Sequence, residues 1–370
     1  MKHFMLTAIA AATMLIHGPA NATSFKPTNL VTDDQSANAA QIIDPGLKNA
    51  WGISYGPTSP FWVSSNGAGT SPLYSVAPAT NATSKVPLTV TIPGAGSVTG
   101  QVFNGGNAGF NSNLFVFVSE DGAISGWRPA LGTTAETLVP GSANSVYKGA
   151  ARSVINNDAY LYAANFRHGA VDVLKGTNGA PTLSGNFTDP NLPAGFAPFN
   201  AQNLGGNIYV SYALQDATKH DDVAGAGNGF VDAFDVQGNL LNRVASQGTL
   251  NSPWGLAIAP SSFGEFAGDL LVGNFGDGTI NAFNLTNNSF AGQLMGSNGK
   301  PLTIDGLWGL IPGNDGSAGS SQSIYFSAGP NGEVNGLFGV ISPAPVPLAP
   351  AVWLLGSALS GLGLVRRRST

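Results

Sequence analysis

Apolar positions along this chain come in short runs that either alternate with polar residues or are apolar throughout, separated by Gly, Pro, Asn and Ser. That pattern predicts strands joined by tight turns. The runs also recur as a phrase: a short Gly-containing apolar strand, a gap, a strand ending in small residues or Asn, a Gly turn, and a third strand with an aromatic. NAWGIS (Asn49 to Ser54), FWVSSNGAG and SPLYSV form the first copy; TGQVFN, LFVFVSEDGAI and SGWRP form the second. YKGAARSVI with LYAANFRHGAVDVL is the third, and APFNAQNL, NIYVSYAL and GFVDAFDV are the fourth. SPWGLAIAP with LLVGNFGDGTINAFNL is the fifth, and GLWGLIPG with SIYFSAGPNGEVNGLFGVI the sixth. Copies begin near Trp51, Gly100, Gly149, Asn200, Trp254 and Trp308. A period of about fifty residues fits one propeller blade, not a solenoid rung or an immunoglobulin-like sandwich.

Five copies continue into a further β-prone segment, such as KVPLTVTI (Lys85 to Ile92) and NLLNRVA (Asn239 to Ala245), whereas the sixth has none. The segment Thr28 to Thr32 can supply the missing outer strand and close the ring, which removes free sheet edges. The expected fold is therefore all-β: one six-bladed propeller of four-stranded blades over residues 23–342, closed by its N-terminal strand.

Composition sharpens this reading. Charged residues are only 9% of the chain, while Gly (50) and Pro (24) are abundant, as turn-rich β structure requires. There is no cysteine, which excludes disulfides, thiolate metal sites and a cysteine nucleophile. Between Thr23 and Pro345 lie eleven of the 15 basic residues and all 20 acidic ones, a net charge of −9. An acidic body argues against nucleic acid as a partner and suits cations or neutral ligands.

The two ends carry a different chemistry. Lys2, the apolar run Phe4 to Ile16 and Ala20-Asn21-Ala22 read as a secretory signal over residues 1–22, with a mature start near Thr23. At the other end, residues 343–370 comprise a Pro-rich spacer, the uncharged apolar stretch Val352 to Val365 and the basic end Arg366-Arg367-Arg368. That order is a membrane address, short for a full span, with the arginines on the cytoplasmic side. The tail PVPLAPAVWLLGSALSGLGLVRRRST resembles the PEP-CTERM class of sorting signals, in the variant with a VPLPA core. Here Ala349 intervenes before the second proline of that core. The resemblance implies an exosortase-type processing enzyme and the membrane as partners, and the surface of a Gram-negative bacterium, or the medium outside it, as the location.

The middle of the chain resembles a family of uncharacterised exported bacterial propellers that carry such tails. The stretch Ala197 to Leu241 carries most of the likeness, joined by SPWGLAIAPSSFGEFAGDLLVGNFGDGTINAF and IDGLWGL. The resemblance implies a propeller and no particular reaction.

Candidate chemistry is sparse. Outside the signal only His168 and His220 remain, too few for a three-His metal site. The polar cluster Gln215 to Asp222 joins the second and third strands of blade four. Asp216, Asp221 and Asp222 can offer oxygens to calcium, the one cofactor the sequence suggests, without EF-hand spacing. Alternatively His220, next to Lys219 and oriented by an aspartate, can act as a base, or the cluster is a solvated loop held by Asx turns. Trp51, Trp254 and Trp308 begin inner strands and serve either as a binding platform at the channel mouth or as packing between blades. Asn66, Asn165 and Asn274, with Glu120-Asp121 in blade two, fall at equivalent strand exits, where they either ring a ligand site or shape turns. Gly-rich runs do not open helices, so they are not nucleotide cradles.

The expected function is a surface-anchored binding or interaction propeller. The rival is a calcium-dependent hydrolase resembling propeller lactonases, for which Asn200, Asp305 and Glu333 are the inward-facing candidates.

Overall fold

The computed structural model describes residues 23–105 and 109–344. They form six antiparallel sheets set radially around an axis, each inner strand lying against the next and the sixth against the first. Blade one comprises Ala50–Ser54, Phe61–Ser65, Thr70–Val76 and Thr83–Thr91, ordered from the axis outward. Blades two, four and five repeat that four-stranded order. The second strand of a blade is apolar on both sides because a sheet packs against each of its faces. Phe61–Ser65 and Phe115–Ser119, accordingly, are buried along their whole length.

Aromatic side chains fill the gaps between neighbouring blades. Between blades one and two, Trp62 stacks on Phe115 with ring centroids 4.0 Å apart, and Trp127 leans on it from 4.9 Å. At the narrowest part of the axis backbones touch instead. A Cβ on Gly52 would lie 2.6 Å from the Thr99 carbonyl oxygen, and one on Gly255 would lie 2.7 Å from that of Trp308. Six strands meet at so narrow an axis because these positions lack a side chain.

Blade six is built from both ends of the described chain. Ser24–Thr32 pairs antiparallel with Leu337–Pro343, setting Pro27 opposite Ile341 and Thr32 opposite Leu337. The closing strand thus begins four residues before the segment expected from sequence, and Pro343 belongs to the last strand instead of the spacer. A polar latch follows it: buried Asp33 accepts from the Gly336 N–H at 2.9 Å, from the Asn335 amide and from Lys48 Nζ at 2.5 Å.

Blade three departs from the four-stranded pattern. It contains Tyr147–Ile155, Asp158–Asn165 and Ala170–Lys175, and its outer position is filled by irregular chain. Pro181, Pro190 and Pro193 lie in that segment and cannot donate to a ladder. The segment is instead pinned to blade four, where the Gly185 and Phe187 amides donate to the Gln237 and Gly238 carbonyls. Among the described residues no helix is long and apolar enough to cross a membrane. The expected signal, and the tail from residue 345 onward, lie outside the described residues.

Candidate functional site

Side chains on a strand alternate, so residues two apart share a face. On the inner strand of blade three a bulge between Tyr147 and Gly149 breaks that alternation at Lys148, yet Lys148, Ala150 and Arg152 all line the axis, in that order along it. They separate three successive spaces. Lys148 lines a chamber of about 470 Å3 at one mouth, walled also by Trp51, Phe275, Trp308, Glu120, Asp221, Asp222 and Glu333. Ala150 lines a constriction of about 10 Å3, together with Gly52, Gly100, Asn200 and Gly309. Arg152 lines a second chamber of about 210 Å3 at the opposite mouth. The constriction holds no more than about one water, so the axis is a plugged core with two separate mouths.

The larger mouth is organised around Lys148, whose side chain is 2% exposed. Its ammonium donates to Glu120 Oε1 at 2.5 Å and to Asp221 Oδ1 at 3.1 Å, and it lies 5.3 Å from the Trp51 ring centroid. Burial opposes the charge, but the two carboxylates outweigh it and hold the Lys148 pKa above its ordinary value. Glu120 follows the second strand of blade two and Asn66 that of blade one, and Asn66 Nδ2 donates to Glu120 Oε2 at 3.1 Å.

Glu333 comes from the turn between Ile324–Ala328 and Leu337–Pro343, and Asn49 from the entry to blade one. Both have left-handed backbone, φ 68° and 45°, which is unfavourable for residues with a side chain and concentrates at functional sites. Their side chains meet, Asn49 Nδ2 donating to Glu333 Oε1 at 3.1 Å. Burial raises the Glu333 pKa, and the charges of Glu120 and Asp221 raise it further, against opposing contributions from Asn49 and Lys148. Asp222 is likewise raised by burial and by Asp221, with Ser252 and Lys148 opposing. The mouth thus holds four carboxylates against one buried ammonium.

Aromatic faces supply the floor. Trp308 stacks between Trp51 (3.5 Å) and Phe275 (3.9 Å), while Trp254 stands edge-on to both tryptophans. Packing accounts for all three indoles, which belong to one buried cluster; Trp51 and Trp308 also line the chamber, whereas Trp254 lines the constriction. The Trp51 indole N–H is buried without an acceptor among the described residues.

Other candidates lie elsewhere. Asn200 is buried in the constriction, donating to the Trp254 carbonyl at 2.8 Å. Asp305 is exposed and accepts from the Asn331 N–H. Asp216 turns into its own loop, bonding Thr218 Oγ1 and the His220 N–H, and Lys219 is exposed beside it. His220 lines the mouth, Nδ1 2.9 Å from Asp221 Oδ1. Its ring, Glu120 and Asp221 each offer one ligand atom within 4.8 Å of the others. Of the equivalent asparagines, Asn66 enters the site, whereas Asn165 and Asn274 bond to neighbouring turns. Sequence reasoning passed over Lys148, Asn49 and Phe275. The signal for Lys148 was present: with Arg152 it is one of two charges in a strand that is otherwise uncharged.

These features define a class: a six-bladed β-propeller with a ligand-sized, acidic and aromatic chamber at one axial mouth. A solved glucose dehydrogenase shares the fold at a TM-score of 0.52, with 12% identity over 87% of this chain and 99% of that one. The chain belongs to the family of two mimivirus proteins. It is 30% identical over 346 residues to the uncharacterized protein R648 of Acanthamoeba polyphaga mimivirus, spanning 88% of this chain and 82% of that protein. It is also 30% identical over 344 residues to the uncharacterized protein L690 of the same virus, spanning 87% of each. No family model matches the chain.

Proposed function

We propose that the protein is an exported, surface-retained binding propeller whose larger mouth takes a small, positively charged organic ligand. One observation carries this reading: about 470 Å3 of open chamber with an aromatic floor and four carboxylates, of which only Glu120 and Asp221 are held by Lys148. An excess of carboxylates over ammonium groups, set on an apolar aromatic floor, favours a cationic organic group over a neutral or anionic one. Export rests on residues 1–22, and retention at the surface on the tail, with an exosortase-type enzyme as the processing partner.

The test is titration of residues 23–344 with tetramethylammonium, putrescine and glucose, read by calorimetry and tryptophan fluorescence. Amine binding that weakens at least tenfold in Glu333→Gln supports the proposal. Glucose binding without amine binding, or no binding at all, overturns it.

The grouping of Glu120, His220 and Asp221 favours a second reading, a calcium-dependent hydrolase. The ammonium of Lys148 already lies between two of those three ligands, so a divalent ion would have to displace a tethered cation. We therefore expect calcium to leave the melting temperature unchanged. A saturable rise that disappears in Asp221→Ala and Asp222→Ala would reverse the order of the two readings.

A further inference from the structure

The smaller mouth has the opposite chemistry. Its walls include Arg152, Ser54, Gln202, Asn203 and Tyr55, and no acidic residue. Among the described residues Arg152 forms no ion pair, whereas Arg128 pairs with Glu136 and Arg243 with both Asp189 and Asp232. Its guanidinium is nonetheless fixed. Nε donates at 2.9 Å to Asn104 Oδ1, and Asn104 is itself held by amide bonds to the Gly109 and Asn113 carbonyls. The Arg152 carbonyl accepts from Asn203 Nδ2 at 2.9 Å, which anchors the strand beneath.

Two polar groups at this mouth lack partners among the described residues. Arg152 Nη2 is buried without an acceptor, and the hydroxyl of Ser54, a residue 6% exposed, is buried without a bond. A half-buried guanidinium with a free N–H and no counter-ion is costly unless something supplies acceptors. We propose that this mouth is a binding site for a small oxyanion, a carboxylate, sulfate or phosphate group, held by the Arg152 fork with Ser54 and Gln202. A planar or tetrahedral oxyanion matches the spacing of guanidinium donors. A space of about 210 Å3 has room for such a group with a short substituent. Burial lowers the Arg152 pKa, and a bound anion would reverse that shift.

The test is calorimetric titration of residues 23–344 with acetate, sulfate and inorganic phosphate, each at ionic strength matched with chloride. At least one anion should bind saturably, and its affinity should fall at least tenfold in Arg152→Gln and by less in Ser54→Ala. Ranking the three anions separates carboxylate from sulfate and phosphate ligands. If Arg152→Gln does not fold, Arg152→Lys, which keeps the charge and loses the fork, should show the same direction of change. Glu333→Gln should leave anion binding intact, so this site and the amine site stand or fall separately. Absence of saturable binding for all three anions, or equal binding by the Arg152 variants, overturns the proposal.

Discussion

Lys148 is the side chain on which the larger mouth balances. Replacing it with Met leaves Glu120 and Asp221 facing each other, partly desolvated and without their cation. Stripping a buried carboxylate of its cation costs about 3–5 kcal/mol, a figure that applies to Glu120 and is much reduced by solvent at Asp221, whose side chain is 66% exposed, so Lys148→Met should lower the urea midpoint without changing the fold. Glu333 behaves oppositely. Its pKa is raised above 4.5 in the folded state, so the folded protein binds that proton more tightly than the unfolded chain does. Stability from this group is therefore present at acid pH and declines as pH rises above 4.5 through the folded value. Glu333→Gln should remove that decline, seen as a flatter profile of unfolding free energy between pH 4 and 8. The same titration makes amine binding strengthen as pH rises, because the carboxylate must be ionised to receive the ammonium. At this scale the sequence was partly legible. His220, Asp221, Asp222, Glu333 and two of the three tryptophans do meet at one mouth. Their convergence with Lys148 and Asn49 depends on which inner residue faces the axis, and that depends on bulges such as the shift between Ala50 and Ile53.

The element that matters most is the strand Ser24–Thr32, with the Asp33 latch behind it. A chain beginning at Gln35 lacks both and exposes the edge of Leu337–Pro343, where Phe338 and Val340 are fully or nearly fully buried in the intact protein. We expect it to lose cooperative unfolding and to aggregate, measured by melting and by size-exclusion chromatography; an unchanged melting temperature would show that the ring does not need this clasp. At the axis, Gly52→Ala places a methyl against the Thr99 carbonyl. Overpacking of this kind costs about 1–3 kcal/mol and should appear as a lower melting temperature with native circular dichroism. The blades, their period and the closing strand were readable because apolar runs and turn residues recur in each copy, with Trp-Gly pairs opening three of them. The missing fourth strand of blade three was not. Its segment has apolar residues of suitable number, and the decision is made by proline, which has no N–H to donate, and by the docking of Phe187 against Tyr162 and Phe234.

For the whole molecule, two mouths of opposite charge are separated by a constriction of about 10 Å3 walled by backbone. Nothing larger than water passes between them, and the blades share one packed ring. Ligands at the two ends should therefore bind additively, each titration giving the same affinity with the other site saturated. Pairing the first strand with the last has a temporal consequence. Residues near Phe25 emerge early in synthesis, yet their partners near Pro343 come some three hundred positions later. The ring remains an open arc until the chain is essentially complete, and clasping is then a single late event of long loop closure.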